Sequence, residues 1–117
     1  MADPLRDKSY AFALRIVRLS EFLHVEKREF VISKKILDCG INIGLFIEEG
    51  KQGDDRIELR QKYSIANKEA FKTNFLLRLL RDGEFISETQ TRSLLDACEE
   101  LQKMLISAIK TLRVVKE

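Results

Sequence analysis

At 117 residues the chain has room for one small domain, which excludes a two-lobed enzyme with its cleft between lobes. It is 34% charged and 44% hydrophobic, a balance that belongs to a folded chain and not to a disordered one. The 21 basic and 19 acidic residues leave a net charge of +2, too small an excess to mark a dedicated nucleic-acid binder.

Five Gly and one Pro are too few for the frequent turns of a sandwich or barrel, so the expectation is an all-α protein. Asp3-Pro4 reads as an N-cap followed by proline at the first helical position, and starts a helix over 4–25. Its seam is Phe12, Ile16, Leu19 and Leu23. The charged run Glu26-Lys27-Arg28-Glu29 marks a change of apolar phase, and a second helix is expected over 29–50 with Ile36, Gly40, Ile43 and Ile47 as its seam. Gly50-Lys51-Gln52-Gly53 reads as a flexible link before the capping acids Asp54 and Asp55.

The third helix is placed over 55–82, with Leu59, Tyr63, Ala66, Ala70, Thr73, Leu77 and Leu80 facing the core, and Asp82-Gly83 stops it. Ser87-Glu88-Thr89-Gln90 has the spacing of a capping box and opens a fourth helix over 87–115, whose seam runs Leu94, Cys98, Leu101, Leu105, Ala108, Leu112 and Val115. Four rods of similar length with short links predict one domain, an antiparallel, up-down-up-down, left-handed four-helix bundle.

Each of the first three helices carries more apolar surface than one core needs. Tyr10, Leu14 and Val17 lie beside the first seam; Phe30, Leu37, Ile41 and Leu45 beside the second; and Phe71, Phe75 and Leu79, with Ile65 and Leu76 nearby, away from the third. Second stripes of this kind mark subunit interfaces, unless one wide core stripe absorbs them, and Phe71, Phe75, Leu79, Tyr10 and Leu14 are the candidate interface residues.

Tyr10-Ala11-Phe12-Ala13-Leu14-Arg15-Ile16-Val17 forms one recognisable block, and Ser33-Lys34-Lys35-Ile36-Leu37 through Gly40, Ile43, Gly44, Ile47, Glu48, Glu49 and Gly50 a second. Lys68-Glu69-Ala70 with Thr73, Phe75-Leu76 and Leu79-Leu80 forms a third, and Glu99-Glu100-Leu101 with Ile109-Lys110-Thr111 is consistent with them. On these blocks the chain resembles the bacterial four-helix-bundle proteins first noticed as open reading frames within intervening sequences of large-subunit ribosomal RNA genes. The resemblance implies a bundle that assembles into rings, commonly pentamers, and is not known as an enzyme. A related branch serves diversity-generating retroelements, where a basic pentamer binds the reverse transcriptase and nucleic acid. This chain departs from the usual family pattern at Asp38, where Arg is common, at Cys39 and Asn42, where Ser is frequent, and at Phe46, where Asn is typical. The acidic Asp38 weakens the transfer of a nucleic-acid role.

The chemistry-bearing residues are sparse. Glu21-x-x-His24 has metal-ligand spacing on one helical face, but His24 is the only histidine and a di-iron core needs two such motifs, so no metal or cofactor is expected. Cys39 and Cys98 read as free, packed thiols of a reducing, cytoplasmic compartment. The acids are mostly spaced as solvent-facing groups with no cluster directed into the core, and no catalytic residue is assigned.

Gly40-x-x-x-Gly44 reads as a close-packing face, because each mid-helix glycine costs roughly 0.5 to 1 kcal/mol that a near neighbour must offset. Glu48 and Glu49 oppose the helix dipole, which fits either a basic partner or exposure to solvent. Arg56, Arg60, Lys68 and Lys72, with Arg78 and Arg81 beyond them, and Lys103, Lys110 and Arg113 are the candidate nucleic-acid contacts. Interleaved acids make most of them solvated faces with weak ion pairs. No stretch is apolar enough to cross a membrane. The expected partner is a second copy of the chain, joined by another protein or a nucleic acid.

Overall fold

The computed structural model describes residues 2–113. It contains four helices: α1 over Pro4–Val25, α2 over Ile32–Gln52, α3 over Arg56–Asp82 and α4 over Glu88–Thr111. No strand occurs among the described residues, and the bundle measures 54 × 26 × 21 Å. Val115, assigned to the fourth seam, lies outside the described residues.

The side-chain pairs fix the direction of each helix. Asp3 at the start of α1 meets Lys51 at the end of α2, and Ser20 near the end of α1 donates to the carbonyl of Ser33 at the start of α2. Cys39 meets Thr73 and Glu49 meets Lys62 between α2 and α3, and Asn74 meets Gln102 while Arg56 at the start of α3 reaches the Thr111 carbonyl at the end of α4. Across α1 and α4, Lys8 pairs with Glu100 and Arg15 with Ser93. Every neighbouring pair therefore runs antiparallel.

The heptad seams make the core. Ile16, Leu23, Ile36, Ile43, Ile47, Leu77, Leu80, Leu101 and Leu105 are fully buried, each contributing on the order of 1.5–3 kcal/mol. Asp3 caps α1 by accepting from the Arg6 N–H at 3.2 Å. At α4 both halves of the capping box form: Ser87 Oγ accepts from the Gln90 N–H at 3.0 Å, and Gln90 Oε1 from the Ser87 N–H at 2.9 Å.

Three boundaries differ from the sequence reading; one is the end of α4, which stops at Thr111 with Leu112 as its C-cap and not at position 115. Helix α2 starts at Ile32, not at position 29, because Arg28 takes a left-handed φ of 51° and turns the chain back on α1. Glu29 then lies outside the helix and does the work of a cap: its carboxylate accepts from the N–H groups of Val31, Ile32 and Ser33 at 3.1, 3.0 and 2.7 Å. Burial raises the Glu29 carboxyl, but these three bonds outweigh it and hold its pKa below the usual range. At the other end α2 continues to Gln52, so Gly50 belongs to the helix and not to a flexible link. Leu59 and Lys62 pack onto it; a Cβ there would lie 2.9 Å from Leu59 Cδ1.

Candidate functional site

The second apolar stripes stay uncovered in the single chain. Tyr10 is 70% exposed, Phe71 56% and Phe75 55%, with Leu14 and Leu79 also classed as exposed. They gather around the outer face of α2. Tyr10 and Ala13 of α1 border a hollow with Ile41, Gly44 and Leu45 of α2. Ile41 and Leu45 continue into a groove of about 810 Å³ with Phe30, Val31 and Leu37, edged by Lys35 and Asp38. Lys35 and Asp38 in turn border a groove of about 600 Å³ between α2 and α3, walled by Phe71, Phe75 and Leu76. Leu14 lies one turn from Tyr10, and Leu79 one turn from Phe75. The result is two apolar patches flanking α2, one toward α1 and one toward α3, with Lys35 and Asp38 between them.

Polar groups lie beneath the patch toward α3. Glu69 is only 7% exposed, which corrects its reading as one of the solvated acids interleaved with the basic residues. It is tolerated there because Asn42 Nδ2 donates to one carboxylate oxygen at 3.2 Å and Lys72 Nζ meets the other at 2.8 Å. The Lys72 ammonium is held above its usual pKa by that bond. Fully buried Thr73 places its hydroxyl 2.9 Å from the Glu69 carbonyl and 3.1 Å from Cys39 Sγ. Asp38 and Cys39 line this groove and Asn42 reaches it through Glu69, while Phe46 carries the Lys62 ammonium 5.6 Å above its ring.

Nothing in this cluster is an activated nucleophile. Burial pushes the Cys39 thiol up, opposed by the Thr73 bond and reinforced by the charges of Glu69 and Asp38. Burial, with smaller contributions from Cys39 and Glu99, pushes the Cys98 thiol up to about 12. Glu21 and His24 are exposed, and the His24 ring packs edge-on against Phe30 at 4.6 Å between centroids. No group of three or more His, Cys, Asp or Glu side chains among the described residues is placed to hold a metal.

The glycine pair splits. Gly40 is buried against Ile16 of α1, whereas Gly44 is half-buried with room for a methyl beside Ser9. Glu48 and Glu49, at the end of α2 where the dipole opposes them, find basic partners: Arg6 at 2.8 Å and Lys62 at 3.0 Å. The basic candidates also divide. Lys68, Lys103, Lys110 and Arg113 are exposed. Arg56 donates to the Thr111 carbonyl at 2.8 Å and closes the end of α4, and Lys72 is held by Glu69. Arg60 is half-buried, with its Nε buried and unpartnered. The structure therefore does not gather the seven into one patch of free cations.

The model of the 23S rRNA-intervening sequence protein family matches residues 5–107. The chain belongs to that family. A crystal structure at 1.70 Å of a Bacteroides thetaiotaomicron VPI-5482 protein of unknown function, from the S23 ribosomal protein family, superposes with a TM-score of 0.89. It is 44% identical over 91% of this chain and 95% of its own. No curated protein matches the chain. The family and the four helices agree with the resemblance read from the α1, α2 and α3 blocks, and no described helix is long and apolar enough to cross a membrane.

Proposed function

We propose that this family member is a non-catalytic helical-bundle adaptor of the cytoplasm that assembles with copies of itself, as a pentamer, and recruits another macromolecule. The carrying observation is the pair of apolar patches flanking α2, one with Tyr10 and Leu14 and one with Phe71, Phe75 and Leu79, which water covers in a single chain. Exposed apolar patches of this kind mark interaction sites, and each half-exposed large side chain covered contributes on the order of 1 kcal/mol. The protonated, buried thiols and the solvent-facing His24 support the absence of catalysis, and two free buried cysteines fit a reducing compartment.

Light scattering on a dilute sample tests the assembly. A mass of five chains is expected, and a mass of one chain refutes it. Phe75→Asp with Leu79→Asp should reduce that mass to one chain while the helical circular dichroism persists, because both side chains point away from the core.

A nucleic-acid-binding accessory role, for structured RNA or with a reverse transcriptase, is the second reading. It is favoured by exposed Phe71 and Phe75 on the same helix as Lys68, and by Arg78, which sits 5.6 Å over the Phe75 ring. Aromatic faces beside cations stack bases. Salt separates the two readings, since phosphate contacts weaken steeply with ionic strength whereas an apolar interface hardly responds.

A further inference from the structure

The patches flanking α2 leave the opposite side of the bundle unaccounted for. There α1 and α4 meet less closely than the other three neighbouring pairs. A trough of about 540 Å³ opens between them, with Leu19, Phe22 and Leu94 in its floor and Arg15 and Arg18 on its rim. It runs on, through Phe22 and Gln90, into a second hollow of about 510 Å³ beside the α3–α4 loop.

The charge of the first trough is one-sided. Two guanidinium groups and no carboxylate line it, and neither arginine has a carboxylate within ion-pair distance among the described residues. Arg15 gives one N–H to Ser93 Oγ at 2.7 Å, which holds its planar head at the edge of the trough with further donors to spare. Arg18 is exposed.

From this arrangement we propose that the α1–α4 trough docks an acidic amphipathic helix of a protein partner. The proposal names the partner for the recruiting role given above and rests on that reading. A channel between two antiparallel helices accepts a third helix by its apolar stripe. Arg15 and Arg18 stand one turn apart on α1, about 4.5 Å along its axis, so carboxylates three or four residues apart on the docking helix meet both. The arginine fork matches a carboxylate with two parallel bonds. Leu19, Phe22 and Leu94 favour a protein over a nucleic acid here, because a phosphate backbone offers an apolar floor nothing to bury. Phe22, moreover, is half-buried and has the Lys27 ammonium 5.8 Å from its ring centroid, so it presents no free stacking face.

The probe is a fluorescent peptide of about 18 residues, long enough to be helical in water, with Leu at i, i+3, i+4 and i+7 flanked by Glu. A twin carries Lys in place of each Glu. Anisotropy titration of the full chain should show saturable binding of the Glu peptide and much weaker binding of the Lys peptide. Arg15→Glu with Arg18→Glu should weaken the Glu peptide by about tenfold or more and strengthen the Lys peptide. Arg18→Glu alone, at an exposed position, gives the same direction if the double variant melts early.

Equal binding of both peptides, or no response to either variant, overturns the proposal. So does displacement of the Glu peptide by a single-stranded oligonucleotide, which makes the trough a phosphate site. A changed mass of the double variant in light scattering also overturns it, since the trough is then an interface between copies. Peptide binding by a protein with the mass of one chain sinks the assembly reading and leaves this one standing; a pentamer indifferent to the peptide does the reverse.

Discussion

Gly40 of α2 lies against Ile16 of α1 with no room for a methyl group: a Cβ on Gly40 would sit 2.7 Å from Ile16 Cγ2 and 2.9 Å from Cγ1. Ile16 is fully buried and branched at Cβ, so it has no slack rotamer to move into. Gly44, one turn on, is different, since its nearest neighbours, Ser9 O and Oγ, would be 3.6 and 3.7 Å away, at ordinary contact distance. Gly40→Ala should therefore cost about 1–3 kcal/mol through overpacking, against the usual gain in helix propensity. Gly44→Ala should stabilise by about 0.5–1 kcal/mol. Urea denaturation of the two variants reads this directly, and midpoints moving in the same direction refute it.

Acid should loosen the start of α2. The Glu29 carboxyl titrates below its unfolded value, so its contribution is complete above about pH 4.3 and is lost as pH falls through the lower, folded value. Asp3 acts in the same direction at the start of α1, where hydrogen bonding to the Lys51 ammonium at 2.6 Å is the largest cause of its lowered pKa. Glu29→Gln should lower stability at pH 7 and flatten the decline between about pH 5 and 3. Thermal melts across that range test it; a decline as steep as that of the parent protein removes Glu29 from the explanation.

The start of α4 rests on one residue pair. Ser87→Ala removes the acceptor for the Gln90 N–H and should cost about 1 kcal/mol, while Ser87→Asp keeps an acceptor and adds a favourable charge at the helix N-terminus. The expected order of melting temperatures places the Asp variant well above the Ala variant. Equal melting temperatures contradict the cap.

What the sequence made legible was whatever one helix encodes alone. The seams through Ile16, Ile43, Leu77 and Leu101 follow from period, and the caps at Asp3 and Ser87 follow from local side-chain chemistry. Features that need two helices were hidden. Glu69 reads as a solvated charge until Asn42, on another helix, is seen to satisfy it. Gly50 reads as a linker until Leu59 is found packed on it. Arg15 and Arg18 give no signal of a site in the sequence; only the looseness of α1 against α4 gives them a trough to border. The stop at Asp82-Gly83 was legible, but the left-handed residue that turns the chain after α3 is Glu84, at φ 65°, with Gly83 at φ −81°.

Both thiols should be inert in the folded protein. Attack on a disulfide reagent needs the thiolate, and with its pKa pushed up to about 12 Cys98 has only about one thiolate in ten thousand at pH 8. Its side chain is also fully buried, its Sγ lying 3.4 Å from the Ala70 carbonyl, so the reagent has no path to it. Cys39 is shifted in the same direction, but it lines the groove beneath Phe71 and Phe75 and is 4% exposed. Labelling with an aromatic disulfide at pH 8 should therefore proceed in two steps, Cys39 before Cys98, both far slower than in urea. The Cys98 rate should track the unfolding equilibrium and rise in Gly40→Ala in proportion to the stability that variant loses. Cys98 labelled as fast as a free thiol, or a Cys98 rate indifferent to Gly40→Ala, would mean that the α2–α3–α4 core opens without global unfolding, and the burial of the seam would need revision.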